Sequence, residues 1–327
     1  MSTLFANPFK SLRHVRQAAL AAALGLFCVT QAPSAAAAHL HYGWQKVGAI
    51  KLFYREGGPA DAPTVVFLHG NPASSIMYEE VMQALIDKSG LHVIAMDYPS
   101  FGYSDAPDHL NYKYTFDHIA ETVRGFLDAR GIHRYALYMQ DYGVPVGFRL
   151  IQADPGAISA IMVQNGVIHL DGFPTAQDPK GELRQHWLKR NPAVDKRRAA
   201  YAASLGFPSA ATWDEGADLN PDADLLMSAS EQRPGVIESR NDLWFDYGSN
   251  VDRYPQWQSL LKTLKCPVLV IWGDRDDFFT TPGALAYLRD APQAEVHILD
   301  TVHFATLEAP DPIAELIAAF YRRHGLR

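Results

Sequence analysis

The strongest constraint on this chain is a series of short, almost uninterrupted apolar runs, each bounded by turn residues. Runs of this kind suit the strands of a parallel sheet that is buried on both faces. They cover residues 64–68, 92–96, 135–139, 158–163, 267–272 and 295–299. Apolar residues at helical spacing lie between them, as in residues 115–130, and a final helix is predicted over residues 306–323. The alternation predicts an α/β fold with a mostly parallel central sheet flanked by helices.

This alternation breaks between residues 170 and 254, where the sequence is polar, contains tryptophan and shows helical patterns without a clear strand. Because apolar strands resume at residue 267, the stretch is an insertion between two strands of one sheet. We expect it to form a helical cap over the carboxyl ends of the strands, where ligands bind in open α/β sheets. The predicted organisation is a leader over 1–38, a core over 39–169 and 255–327, and a cap over 170–254.

The first segment has the order of features of a secretory signal peptide. Lys10, Arg13 and Arg16 precede an apolar run over residues 18–29, and an alanine-rich stretch follows at residues 32–38. The apolar run is too short to span a bilayer permanently. The sequence therefore predicts cleavage near Ala38, no stable membrane anchor afterwards, and a periplasmic or secreted protein.

Charge and composition exclude several classes of partner. Removing the leader takes away three basic residues and no acidic one, so the formal net charge falls from −7 to −10. Nucleic-acid binding, which needs a basic surface, is therefore not expected. Cys28 leaves with the leader and Cys266 remains alone, so no intrachain disulfide is possible. The chain carries no HExxH motif, no Cys/His cluster and no glycine-rich dinucleotide turn, so neither a metal nor a cofactor is predicted.

Polar residues follow four of the predicted strands. Residues 135–150 read YALYMQDYGVPVGFRL, a strand that turns sharply into a helix, with Asp141 at the apex. The others are the HGNP turn at 69–72, the GDRD turn at 273–276, and His303. Each alone has an ordinary interpretation, because an aspartate before a helix is usually an N-cap. Their order along the chain, however, is that of a catalytic triad with a nucleophile elbow.

These motifs resemble those of the α/β-hydrolase superfamily, and most closely those of haloalkane dehalogenases and their epoxide hydrolase relatives. The resemblance spans essentially the whole mature chain and is carried by HGNP (69–72), DYPSFGYS (97–104), QDYG (140–143), WGDRD (272–276) and HFATLEAP (303–310). It implies that Asp141 is the nucleophile, that His303 is the base, and that Asp276 is the acid that orients His303.

The position of the acid varies within the superfamily. Some relatives place it after the preceding core strand, where this chain has Gln164 and Asn165 and no carboxylate. Asp276 is therefore the predicted acid, with Asp274 or Asp277 as the alternatives.

An aspartate nucleophile selects a particular reaction. A carboxylate is already ionised at neutral pH, so it displaces a leaving group from a saturated carbon without a base and forms an alkyl ester. His303 then activates a water that attacks the carboxyl carbon of Asp141. We assign the two oxyanion donors to the backbone N–H groups of Asn71 and Tyr142. Attack on an ordinary ester would give a reactive anhydride, which makes esterase chemistry a poor fit.

A departing halide requires N–H donors. Haloalkane dehalogenases supply them from an asparagine in the HGNP turn, which matches Asn71, and from a tryptophan directly after the nucleophile, which Tyr142 replaces here. A phenol can accept as well as donate, unlike an indole N–H. Trp187 and Trp244 of the predicted cap are the candidates for the missing donor.

An epoxide instead leaves as an alkoxide that needs a proton. Epoxide hydrolases provide this from cap tyrosines, and Tyr247 lies where the later one falls, although Gly248 replaces an arginine often found beside it. Because Asn71 serves a halide, the sequence favours hydrolytic dehalogenation of a small apolar organic substrate, with water as the second reactant. The alternatives are an epoxide hydrolase that gives a diol and, more remotely, a non-catalytic binding protein or a cofactor-independent oxygenase.

The leader predicts a shortened mature chain. Protein recovered from the cell envelope or medium should have an intact mass that corresponds to a start close to residue 39, because cleavage near Ala38 removes the basic and apolar segments together. Mass spectrometry of the purified protein measures this. A mature chain that still begins near Met1 would contradict the prediction.

Overall fold

The computed structural model describes residues 39–174, 181–205 and 220–326. The predicted leader lies outside these residues, as do two stretches of the predicted cap, residues 175–180 and 206–219. The strands are β1 His41–Val47, β2 Ile50–Gly57, β3 Thr64–Leu68, β4 His92–Met96, β5 Tyr135–Gln140, β6 Ile158–Gln164, β7 Val268–Gly273 and β8 Glu295–Leu299. The described helices are α1 Glu79–Ser89, α2 Phe116–Ala129, α3 Gly143–Ala153, α4 Glu182–Leu188, α5 Pro192–Leu205, α6 Pro221–Glu231, α7 Val236–Thr263, α8 Thr281–Ala286, α9 Ala305–Glu308 and α10 Pro310–His324.

The described strands form one sheet in the order β1-β2-β4-β3-β5-β6-β7-β8. The hairpin β1–β2 pairs antiparallel, and β2 is also antiparallel to β4. All other neighbours, from β4 through β3 and β5 to β8, are parallel. The α/β fold class predicted from the sequence is confirmed, and each of the six apolar runs is a strand.

The apolar runs are continuous because both faces of the sheet are buried. Val66 and Leu68 of β3 point into an apolar layer that includes α2, α3 and part of α7. Val65 and Phe67 point to the opposite face, where α1 and α10 supply the apolar layer. Since side chains alternate along a strand, a strand between two such layers needs apolar residues at nearly every position.

The sequence predicted one final helix over residues 306–323, and this prediction is wrong in one respect. The structure has two helices, α9 and α10, between residues 305 and 324. The helix α9 ends at Glu308 and α10 begins at Pro310, with Ala309 outside helical geometry at φ −137° and ψ 54°. Proline has no N–H to donate to the preceding turn, and its ring disfavours helical backbone at the residue before it. Helix α10 therefore begins at Pro310, directly after this break.

The helices α4 to α7 lie between β6 and β7 in the chain, and α7 runs beyond residue 254, the predicted end of the cap. Within the described part of the chain, no helix is both long and apolar enough to cross a membrane. The division between core and cap at residues 170 and 254 stays a prediction.

One buried arginine joins α7 to the loop after β4. Arg240 donates from Nε to a carboxylate oxygen of Glu231 at 2.7 Å, and from its other nitrogens to the hydroxyl and carbonyl oxygens of Ser100 at 2.7 and 3.0 Å. Its guanidinium also lies 3.3 Å from the ring centre of Phe101. Both charged side chains are buried, so the charge of each depends on the other for its compensation.

Removing this arginine should destabilise the fold. Arg240→Leu leaves the Glu231 carboxylate buried without its partner, and we expect the free energy of unfolding to fall by about 3–5 kcal/mol. Urea denaturation measures the change. The matched control is Arg197→Leu, which removes an exposed ion pair with Glu182 and should cost less than about 1 kcal/mol. Equal unfolding midpoints for the two variants would contradict the structural role of Arg240.

Candidate active site

Asp141 occupies a tight turn between β5 and α3. Its φ is +49°, a value that costs a non-glycine residue conformational energy. The helix starts two residues later at Gly143, where a Cβ would lie 2.0 Å from the carbonyl oxygen of Leu68. Glycine is therefore required for α3 to begin this close to β3. The strained turn lifts the Asp141 side chain out of the sheet and above its carboxyl edge.

Two backbone N–H groups hold the Asp141 carboxylate. Oδ1 accepts the N–H of Asn71 at 2.8 Å, and the backbone N–H of Tyr142 also favours the charged form of the carboxylate. Burial raises the pKa of Asp141 above its usual value, and His303, when it is protonated, and the two N–H groups act in the opposite direction. These are the two N–H groups that the sequence assigned to the oxyanion.

His303 and Asp276 lie beside this carboxylate. The His303 ring presents Nε2 at 3.9 Å from Asp141 Oδ2, too far for a hydrogen bond, and Nδ1 at 2.8 Å from Asp276 Oδ2. The bond to Asp276 places a proton on Nδ1 and leaves the lone pair of the neutral ring on Nε2. Burial lowers the pKa of His303, but the hydrogen bond to Asp276 and the charges of Asp276 and Asp141 together raise it.

Asp276 is held by three further donors. Its Oδ2 accepts from the side-chain amide of Asn165 at 2.7 Å, and its Oδ1 accepts the N–H groups of Phe278 and Phe279 at 2.6 and 3.1 Å. The alternative acids Asp274 and Asp277 have exposed side chains. Asn165, at the position where some relatives carry their acid, thus orients the acid from the next strand.

Two buried glutamines contact His303, and sequence reasoning assigned neither of them a role. Gln140, the last residue of β5, has its amide nitrogen 2.7 Å from His303 Nε2. Gln164, the last residue of β6, donates to the backbone carbonyl of His303 at 2.9 Å. The only sequence signal for either residue is its place at the carboxyl end of a central strand.

Aromatic rings form a continuous series of contacts that starts at Tyr142, the neighbour of Asp141 in the chain, and ends beside His303; we call it the aromatic arc. Its ring centres are 5.2 to 6.1 Å apart, and it ends 5.8 Å from the ring of His303. Its members, in order of contact, are Tyr142, Tyr247, Trp187, Phe173 and Phe279. The arc makes the space above Asp141 apolar, except for the polar atoms that its own members bring.

The arc also carries three polar groups. The indole N–H of Trp187 and the hydroxyl of Tyr142 are buried and have no hydrogen-bond partner among the described residues. The hydroxyl of Tyr247 lies 3.2 Å from that of Tyr254. Burial raises the pKa of both Tyr142 and Tyr247, so both phenols stay protonated.

Trp244, the other predicted cap donor, lies elsewhere. Its ring faces the guanidinium of Arg198 at 4.5 Å, and it has no ring contact with the aromatic arc among the described residues. The structure thus brings Trp187, Tyr247 and Tyr142 together and leaves Trp244 apart. Asn71 is close to Asp141 through its backbone, and its side-chain oxygen is buried without a partner in the described part of the chain.

A separate surface depression of about 720 Å³ lies between the β1–β2 turn and α2. Its lining includes Ile50, Asp105, Tyr112 and His118, and none of the predicted site residues. Displacement at carbon needs a desolvated nucleophile, which this depression does not provide. Among the described residues there is also no cluster of His, Cys, Asp or Glu that could hold a metal ion.

A sharp strand-to-helix turn that exposes an acid above a mostly parallel sheet is the arrangement of α/β hydrolases. The chain belongs to that family, because the family described as alpha/beta hydrolase fold matches residues 63–310. The protein is therefore an enzyme of the hydrolase class, related to haloalkane dehalogenases.

Curated relatives support this placement. The chain is 36% identical over 282 residues to the uncharacterized hydrolase YNR064C of Saccharomyces cerevisiae, with 83% of this chain and 93% of the relative covered. It is 30% identical over 245 residues to a haloalkane dehalogenase of Mycolicibacterium paratuberculosis, with 69% and 72% covered. The solved structure of haloalkane dehalogenase DbeA from Bradyrhizobium elkani matches with a TM-score of 0.69 at 20% identity, covering 86% of this chain and 98% of that one.

Proposed function

We propose that this hydrolase cleaves a small apolar organic substrate at a saturated carbon through an ester of Asp141, and that the leaving group is a halide. The observation that carries the proposal is the carboxylate at the apex of the elbow, with Oδ1 bonded to the N–H of Asn71 and Oδ2 facing His303 at 3.9 Å. An acid at this position needs no deprotonation before it attacks. The chemistry therefore differs from that of a serine hydrolase at its first step.

In the first step, Oδ2 of Asp141 attacks the carbon that bears the halogen. The new carbon–oxygen bond forms as the carbon–halogen bond breaks, and the halide leaves with the bonding electrons. The aromatic arc keeps water away from the carboxylate, which makes it a better nucleophile. Oδ1 stays bonded to the backbone N–H of Asn71, which leaves Oδ2, the oxygen that faces His303, to react.

In the second step, Nε2 of His303 takes a proton from water, and the oxygen of that water attacks the carboxyl carbon of Asp141. Negative charge develops on Oδ1, which already accepts the N–H of Asn71, and the adjacent N–H of Tyr142 is the second donor that we assign to it. The tetrahedral intermediate collapses to the Asp141 carboxyl group and an alcohol, which receives its proton from His303. The second proton of the water then leaves Asp141 for solvent, so that the carboxylate is regenerated and the net products are the alcohol, a halide ion and a proton. Asp276 stabilises the protonated ring in the interval.

Two donors support the halide as leaving group. Trp187 has a buried indole N–H without an acceptor among the described residues, and it lies in the aromatic arc in stacked contact with Tyr247. An indole N–H only donates, which suits an anion. Asn71 offers a side-chain amide at the other end of the site. We assign these two groups to the departing halide.

An epoxide hydrolase is the second candidate, and one observation favours it. Tyr247 and Tyr254 place two buried hydroxyls 3.2 Å apart, and such a pair could protonate an alkoxide. The same contact gives Tyr247 a partner already, whereas Trp187 has none in the described part of the chain. For this reason we place the halide first.

The leader supports a further part of the proposal, that the enzyme acts outside the cytoplasm. Apart from Cys266, which is a free thiol, the described residues contain no cysteine. The mature fold therefore depends on its apolar layers and buried ion pairs for stability rather than on disulfides.

Replacing the base should trap the ester. In His303→Gln the first step remains possible because Asp141 needs no base, but the ester cannot be hydrolysed. Incubation with a bromoalkane should therefore add the mass of the alkyl group to the peptide that bears Asp141. Peptide mass spectrometry localises the label. The double variant with Asp141→Ala is the control and should stay unlabelled; a label on a serine, or multiple turnover by His303→Gln, would contradict the mechanism.

The donors to the leaving group should separate the two candidate functions. A hydrogen bond to a charged group is worth about 1.5–3 kcal/mol, so Asn71→Ala and Trp187→Phe should each slow halide release about ten- to a hundredfold. Asn71→Ala keeps the backbone N–H that binds Asp141. Trp244→Phe, outside the aromatic arc, is the matched control and should change little.

Tyr247→Phe should have the opposite pattern of effects to Asn71→Ala and Trp187→Phe. It should leave the rate on a bromoalkane nearly unchanged, because a halide needs no proton. Loss of a general acid would instead lower diol formation from a matched terminal epoxide by about a hundredfold or more. Steady-state rates of wild type and the variants on both substrates measure this. Diol formation that collapses in Tyr247→Phe, with no halide released by wild type, would establish the epoxide hydrolase.

A further inference from the structure

Gln140 makes a contact that the two reaction steps leave unexplained. Its side chain is fully buried, and its amide nitrogen lies 2.7 Å from Nε2 of His303. That nitrogen is the atom that must accept a proton from water in the second step. In the resting enzyme, therefore, a protein group already occupies the lone pair of the base.

The orientation of the Gln140 amide decides the direction of this bond: its nitrogen faces the ring and also lies 3.5 Å from the carbonyl oxygen of His303, while Oε1 is buried without a partner among the described residues. Asp276 accepts the proton on Nδ1, so a neutral His303 has its lone pair on Nε2, and the Gln140 amide donates to it. With the amide in this orientation, a proton on Nε2 would set two N–H donors against each other at 2.7 Å. The arrangement is that of a neutral imidazole.

The surroundings of His303 favour the opposite charge state. Asp276 and Asp141 are the two carboxylates that act on the ring, at 2.8 and 3.9 Å, and the other close groups are the rings of Phe278, Phe279 and Phe304. Negative charge at both nitrogens attracts a second proton to the ring. A protonated His303 would form an ion pair with Asp141, which would occupy the base and weaken the nucleophile together.

We propose that Gln140 is a positioning residue that holds His303 as a neutral base by donating its amide N–H to Nε2 while Asp141 is still a free carboxylate. The inference rests on the proposed aspartyl-ester chemistry. Esterification removes the charge of Asp141, so the tendency toward an ion pair disappears at the moment when water must replace the amide at Nε2. The pocket around the amide is closed, since a Cβ on Gly70 would lie 2.6 Å from Gln140 Oε1.

The titration of His303 in the free enzyme tests this without any substrate. In ¹⁵N-histidine-labelled protein, with the His303 signals assigned by their loss in His303→Gln, wild type at neutral pH should show Nδ1 protonated and Nε2 unprotonated. Gln140→Met keeps the length of the side chain but has no N–H to donate. Since a neutral hydrogen bond is worth about one kcal/mol, the pKa of His303 should rise by about 0.5–1 unit in this variant.

A second substitution and a matched control make the result specific. Gln140→Glu replaces the donor by an acceptor and should raise the pKa of His303 further than Gln140→Met does. Gln164→Met removes an equally buried glutamine that bonds to the carbonyl oxygen of His303 rather than to its ring, and should leave the titration as in wild type. The order of pKa values, with wild type lowest and Gln140→Glu highest, is the expected result.

A kinetic measurement tests the same role of Gln140: the rate at which the ester of Asp141 forms is measured as a function of pH. In Gln140→Met, the acid limb of that profile should move to higher pH by the same amount as the His303 titration. Protonated Nε2 in resting wild type at neutral pH, an unchanged titration in Gln140→Met, or an equal shift in Gln164→Met would each overturn the role of Gln140. If the titrations follow the expected order but no ester forms on Asp141 with any substrate, the proposed function fails while the role of Gln140 in the free enzyme stands.

Discussion

The structure depends on keeping one carboxylate charged in a buried position. Asp141 has a side chain that is almost fully enclosed, yet the proposed reaction requires its ionised form. The N–H groups of Asn71 and Tyr142 offset part of the cost of burial, which still raises the pKa of Asp141, and the strained turn between β5 and α3 brings the carboxylate to them. The same turn requires glycine at position 143, because a Cβ there would collide with the carbonyl oxygen of Leu68. A different turn geometry would remove the donors and the nucleophile together.

Much of this was predictable from the sequence because the chemistry is attached to strand ends. Continuous apolar runs indicate where parallel strands end, and polar residues directly after them must meet at one edge of the sheet. The resemblance then suggested roles for Asp141, Asp276 and His303, and the structure brings these three side chains together. The backbone donors were likewise predictable, because they come from the residues after the same strand ends.

The remaining features depend on distances that a sequence does not record. The contact of Gln140 with the ring of His303 and the choice of Trp187 over Trp244 arise from side-chain packing between segments far apart in the chain. The spacing of apolar residues also gave a wrong prediction near the end of the chain. It continues across Pro310 as in one helix, but the backbone leaves helical geometry at Ala309. The hydrogen bond from Arg240 to Ser100 likewise joins residues that are 140 positions apart in the chain.

The position of Asp276, just after the end of β7, has a consequence for which other residue could carry the acid. Asn165 stands where some relatives keep their acid, and its amide donates to Asp276 at 2.7 Å. A single change to aspartate at 165 would set two carboxylates against each other at that distance, and one of them would have to hold a proton. Loss of Asp276 first would leave His303 without a partner. The two positions for a carboxylate are therefore mutually exclusive in this fold, and residue 165 has to stay neutral for as long as Asp276 holds the ring of His303.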